Sequence, residues 1–230
     1  MTKDNFLFTL IGLLLGTIIG FFITNAINQS AATMTGGQTQ ATQPAGSVPG
    51  GHPSVSGAGG SMAEVQVTVE NARQNPTDLE AQLKAAELFY QIQRYDQAIE
   101  FLAKANEIQP ENFEVIVNLG NTNFDAGKYV EAEKWYISAL AKKSDNLDVR
   151  TDMGLTFIFR EKPDYDRAIT EFKRVLDADP NHSLALQNLT VAYTRKSDAA
   201  GAEATLAKLE KADPSNSALG KLREEIGKLK

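Results

Sequence analysis

Residues 76–110 read PTDLEAQLKAAELFYQIQRYDQAIEFLAKANEIQP, a segment bounded by prolines that carries Tyr95 and Ala98 near its middle. The same marks return along the chain. Pro76, Pro110, Pro180 and Pro214 are 34, 70 and 34 residues apart. Ala98, Ala132, Ala168 and Ala202 are spaced 34, 36 and 34, and Tyr95, Tyr129 and Tyr165 each stand three residues ahead of their alanine. A period near 34 with small residues at a fixed phase is the mark of stacked helix-turn-helix units. Such an array presents a surface rather than a catalytic cleft, which points to holding another protein.

The bulk properties narrow the class. At 230 residues the chain has room for one folded domain with accessories. A net charge of −6 argues against nucleic acid as a partner, since its binders need basic patches to neutralise phosphate. With no cysteine, disulfides, thiolate metal sites and cysteine nucleophiles are excluded. No cofactor or metal is expected. The two histidines, His52 and His182, lie in unrelated segments, and adjacent carboxylates such as Glu224 and Glu225 point apart on a helix. An enzyme is therefore not expected.

The N-terminal part differs in kind. Residues 6–23 form an uncharged apolar run broken by Thr9 and Thr17, a length of roughly 27 Å as a helix, close to a bilayer's hydrocarbon core. It is read as a transmembrane anchor within residues 1–24. A cleavable signal peptide is the competing reading, with a shorter apolar core and a more basic start than Lys3 and Asp4 supply. Lys3 precedes the run and no Lys or Arg follows until Arg73, so the positive-inside rule places the N-terminus in the cytoplasm and the rest outside, at the cytoplasmic membrane. Gly12, Gly16 and Gly20 share one helix face and would let a second helix approach, from another copy or another membrane protein. Residues 25–61 lack Asp, Glu, Lys and Arg and are rich in Gly, Ser, Thr, Gln and Pro, the composition of a flexible tether.

From residue 79 on, the chain resembles the tetratricopeptide repeat family. With units at 79–112, 113–146, 147–182 and 183–216, the small eighth position is Ala86, Gly120, Gly154 and Thr190. The eleventh is Phe89, Asn123, Phe157 and Tyr193, the twentieth is the alanine series, and the large twenty-fourth is Leu102, Tyr136, Phe172 and Leu206. The resemblance implies an all-α, right-handed solenoid of four helix-turn-helix repeats. Asp78, Asn112, Asn146 and Asn216 are suited to cap helix starts, with His182 in the equivalent place of the fourth unit. Two extra residues around Glu161-Lys162-Pro163 lengthen the third unit's inner turn. Residues 62–74 are expected to form a helix on the first unit, with Val65, Val69 and Ala72 on one face. In 217–230, Leu219, Leu222, Ile226 and Leu229 make one apolar stripe, which predicts a C-terminal capping helix.

The resemblance also implies where a partner would sit. The family's groove is lined by the first helix of each unit, mainly at its second, fifth, ninth and twelfth positions. Carried over, these are Glu80, Leu83, Glu87 and Tyr90, then Glu114, Val117, Asn121 and Phe124, then Asp148, Thr151, Leu155 and Ile158, then Leu184, Gln187, Val191 and Thr194. Asn118, Asp152 and Asn188 flank them at the sixth position. Acidic and apolar side chains interleave there, a surface suited to a basic segment with apolar anchors. The lysines and arginine with which the family's chaperone-tail binders clamp a terminal carboxylate are absent, since Leu83, Glu87, Asp148 and Asp152 stand in those places. The function that follows is a membrane-tethered, non-catalytic scaffold, with an accessory subunit of a membrane complex as the alternative.

Overall fold

Each helix start in the repeat region is marked by a residue that can satisfy the free backbone N–H groups of a first turn. Asp78 accepts from the amides of Glu80 and Ala81, Asn112 from Glu114 and Val115, Asn146 from Val149, and the Nδ1 of His182 from Ala185. The computed structural model of the protein describes residues 62–229. Among them are α1 (Met62–Gln74), α2 (Leu79–Gln91), α3 (Tyr95–Ile108), α4 (Phe113–Asp125), α5 (Tyr129–Lys142), α6 (Leu147–Phe159), α7 (Tyr165–Ala178), α8 (Ser183–Arg195), α9 (Ala199–Ala212) and α10 (Leu219–Gly227). No strand occurs among the described residues.

Each helix packs on the next one in the chain, and α4 and α8 also touch α6. The result is a stack of four helix pairs, α2–α3, α4–α5, α6–α7 and α8–α9, with their first helices in one layer. The close crossings within a pair follow from side-chain size. The alanine series is fully buried, and a Cβ on Gly120 would lie 2.6 Å from the Tyr136 ring. At Gly154 it would lie 2.5 Å from the Phe172 ring. The small eighth position thus exists because the large twenty-fourth occupies the space above it, at the packing density of a protein interior.

The turn inside each pair is closed by the backbone. In the first, second and fourth units, Arg94, Lys128 and Asp198 donate to the carbonyls of Phe89, Asn123 and Tyr193 at 2.8, 2.8 and 2.9 Å. This Schellman closure places one residue in the left-handed region: Gln93 (φ 59°), Gly127 (φ 74°) and Ser197 (φ 63°). The third unit makes the same closure from Asp164 to Phe157 across two more residues, and no residue of that longer loop has positive φ. The predicted insertion is therefore a loop that leaves the stack in register.

Both ends are covered. In α1, Val69 and Ala72 are buried while Val67 is 69 % exposed, so the valines obey helical and not strand periodicity. Gln82 in α2 donates to the carbonyls of Ala72 and Asn75, tying the end of α1 to the first unit. At the other end Leu219, Leu222 and Ile226 of α10 are buried against the last pair. The capping helix begins at Leu219 rather than at 217, because the Asn216 side chain accepts from Ala218 and a turn intervenes. Among the described residues no helix is long and apolar enough to cross a membrane. The anchor expected in residues 1–24, its glycines Gly12, Gly16 and Gly20, and the tether at 25–61 lie outside the described residues.

Candidate protein-binding groove

The helices α2, α4, α6 and α8 carry the positions expected to line the groove, and their side chains fall into two sets. Glu80, Glu114 and Asp148 are exposed, and Leu83, Glu87, Tyr90, Val117, Asn118 and Asp152 are half-buried. These interleave acidic and apolar groups along one face of the helix layer. Asn121, Phe124, Leu155 and Ile158 are instead buried, with Ile158 only 1 % exposed. Asn121 accepts from the buried hydroxyl of Tyr136 at 2.9 Å. Phe124 meets the rings of Tyr129 and Phe159 edge-on at 5.2 and 5.9 Å. Asn121 and Phe124 thus tie neighbouring helices together, and none of the four presents its side chain to a partner in this arrangement. In the fourth unit Leu184, Gln187 and Val191 are half-buried and Thr194 is buried.

Asp125 is the residue that sequence reasoning missed. It follows the twelfth position of the second unit, at the end of α4, and Tyr90 of the first unit donates its hydroxyl to it. Burial pushes the Asp125 carboxyl up to about 6, with the Tyr90 hydrogen bond opposing the rise. Burial also raises Tyr90, Tyr95 and Tyr129, and in each case the charge of Asp125 adds to the rise. A signal was available: an acidic residue 35 positions after a groove tyrosine, hence one repeat on and one position further round the helix.

Asp152 is the second perturbed acid. Burial pushes its carboxyl up to about 7, and the charges of Asp148 and Asp125 add to this while His182 opposes it. His182 caps α8 through Nδ1 and turns Nε2 toward Asp148 at 3.6 Å. That contact holds the imidazole above its ordinary range. The sequence reading of His182 as a cap agrees with this geometry. No group of three or more metal-ligating side chains occurs among the described residues. Two shallow concavities, of about 460 and 520 Å³, lie at junctions between units; the first is lined by residues such as Leu147, Arg150 and Arg174, and the second by residues 109–114, which include the groove residue Glu114.

Consecutive antiparallel helix pairs with a small residue at each crossing and a polar–apolar inner layer define a helical-repeat scaffold for protein interaction. The chain belongs to the tetratricopeptide repeat family, whose profile matches residues 93–155 and 160–226. Tetratricopeptide repeat proteins are in general non-catalytic interaction scaffolds. No curated protein matches the chain. Among solved structures it is similar to MamA from Desulfovibrio magneticus RS-1, at 19 % identity and a TM-score of 0.59 over 67 % of this chain and 86 % of that one. It is also similar to PilW, described as a widely conserved type IV pilus biogenesis factor. There the identity is 20 % and the TM-score 0.58, over 72 % of this chain and 76 % of PilW. A tetratricopeptide repeat protein from Parabacteroides merdae gives 21 % and 0.58, over 66 % of this chain and 59 % of that one. At these identities the likeness is one of fold.

Proposed function

We propose that this protein is a membrane-tethered adaptor that holds a basic, partly apolar protein segment in the groove of its repeat array, on the extracytoplasmic side of the inner membrane. The observation that carries the reading is the placement of Glu80, Glu114 and Asp148 at the solvent side of the inner layer, with Leu83, Val117 and Tyr90 half-buried between them. Exposed carboxylates set the register of cationic side chains, and the half-buried apolar groups accept anchors. The uncharged apolar run at 6–23 and the charge-free segment after it support the tether and its orientation. An assembly or chaperone-like role agrees with this arrangement, and PilW, which shares the fold, is described as a biogenesis factor.

Reversing Glu80, Glu87, Glu114 and Asp148 together to lysine should abolish capture of the partner by the full-length protein. Undiminished capture with helicity intact would move the binding surface elsewhere. A second reading, an accessory subunit of a membrane complex, is favoured by the register of Gly12, Gly16 and Gly20. Crosslinking in intact membranes separates the two. A single stoichiometric membrane partner lost on replacing the glycines by leucine supports the subunit, and substoichiometric partners mapped to α2–α6 support the adaptor.

A further inference from the structure

Two of the array's sheltered acids are neutralised from within. Glu133, with a side chain 13 % exposed, is bracketed by Arg160 and Arg167, each at 2.7 Å. Glu171, at 11 %, is bracketed by Arg150 and Arg174 at 3.0 and 2.6 Å. Two guanidinium groups per carboxylate is how a protein shelters charge without an uncompensated desolvation cost. Asp125 and Asp152 are treated differently. Asp125 receives only the Tyr90 phenol, and neither acid forms an ion pair with a Lys or Arg among the described residues.

The surroundings of Asp125 suit a cation. Tyr90 and Tyr95 meet edge-on at 5.5 Å beside Asp125, and the charge of Asp125 reaches Tyr129 as well. Aromatic faces around a carboxylate attract ammonium and guanidinium groups. The chain supplies its own precedent two units on. Arg195, at the place in α8 that Asp125 holds in α4, lays its guanidinium over the Phe159 ring at 5.5 Å. A buried polar group is also left open one unit beyond Asp152. Asn188, in the equivalent place of α8, is 5 % exposed and its amide nitrogen has no acceptor. A sheltered donor without an acceptor and sheltered acids without cations are the complement of an extended basic segment.

We propose that Asp125 and Asp152 are the receptor carboxylates for lysine or arginine side chains of the bound segment, with Tyr90, Tyr95 and Tyr129 walling the first of them. This rests on the groove reading above. A proton and a cationic side chain then compete for the same oxygens, so the groove holds basic segments at neutral pH and releases them on mild acidification. The groups facing Asp125 are Tyr90, Tyr95, Tyr129, Tyr136 and Asp152. Those facing Asp152 are Asp148, Asp125, His182 and Tyr136. His182 gains a proton over part of the same range, so the test is made in a His182→Asn background, which keeps a side-chain acceptor at the cap.

The probe is a fluorescein-labelled peptide of alternating lysine and leucine, read by anisotropy against the full-length protein, with its Nε-acetyl-lysine counterpart as control. Expected are binding at pH 8 that weakens about tenfold at pH 5.5, and no binding of the acetylated peptide. The Asp125→Asn, Asp152→Asn double variant should bind the lysine peptide about tenfold more weakly at pH 8, with little pH dependence left. Unchanged affinity in that folded variant, with binding lost on reversing Glu80, Glu87, Glu114 and Asp148, would overturn this inference and leave the groove reading standing. Failure of the parent protein to bind the lysine peptide at pH 8 would overturn both.

Discussion

Replacing Asp152 by asparagine is expected to stabilise the protein at pH 8 and to flatten the dependence of its stability on pH. Burial, with Asp148 and Asp125 adding to it, raises the Asp152 carboxyl from 3.8 to about 7 in the folded protein. A raised acid binds its proton more tightly folded than unfolded. Its favourable contribution is therefore complete below the unfolded value, near pH 4, and is lost as pH rises through 7. At about 1.4 kcal/mol per pH unit, that rise corresponds to a ceiling of ~4 kcal/mol. Asp152 keeps part of its surface in water, which brings the expected difference to ~2 kcal/mol. Asparagine is nearly isosteric with the neutral acid and never carries the charge. The assay is thermal and urea unfolding followed by helical circular dichroism from pH 4 to 8.5. The variant should melt about 4–8 °C above the parent at pH 8, and the two should converge near pH 4. Equal melting at pH 8, or parallel pH profiles, would refute the burial argument for this carboxyl.

Other consequences are smaller in scope. Gly154→Ala sets a methyl 2.5 Å from the buried Phe172 ring and should cost about 1–3 kcal/mol in urea unfolding. Ser197→Gly relieves a left-handed backbone (φ 63°) in a closed turn and should raise stability by about 0.5–1 kcal/mol, read as an increased urea midpoint. Asn112→Ala removes the acceptor for the amides of Glu114 and Val115 and should cost about 1 kcal/mol, with earlier hydrogen exchange at the start of α4.

Much of the architecture was legible because repeat packing is local. A residue at the twentieth position meets its own unit's first helix, so the alanine series and the large residues at 102, 136, 172 and 206 could be placed from spacing alone. Caps were legible for the same reason, since Asp78, Asn112, Asn146 and His182 bond to amides two or three residues away. The groove was less so. Counting positions put Asn121, Phe124, Leu155 and Ile158 on the binding face, yet all four are buried, and Asn121 and Phe124 are covered by Tyr136, Tyr129 and Phe159, side chains of the following helices.

What the sequence by itself determined is the repeat: its period, its helix starts and stops, its one lengthened turn and its two end caps. Each of these rests on contacts within about one unit, where a residue's type and spacing already specify its neighbour. What only the tertiary structure decided is which carboxylates the stack leaves uncompensated. Glu133 is paired with Arg160 and Arg167 of the next unit, and Glu171 with Arg150 of the preceding helix as well as Arg174 one turn along its own, whereas Asp125 faces a tyrosine 35 residues earlier and Asp152 has no Lys or Arg partner among the described residues. An acid's charge state depends on the dielectric and the charges around it after packing, so the 35-residue spacing that relates Tyr90 to Asp125 does not by itself set it.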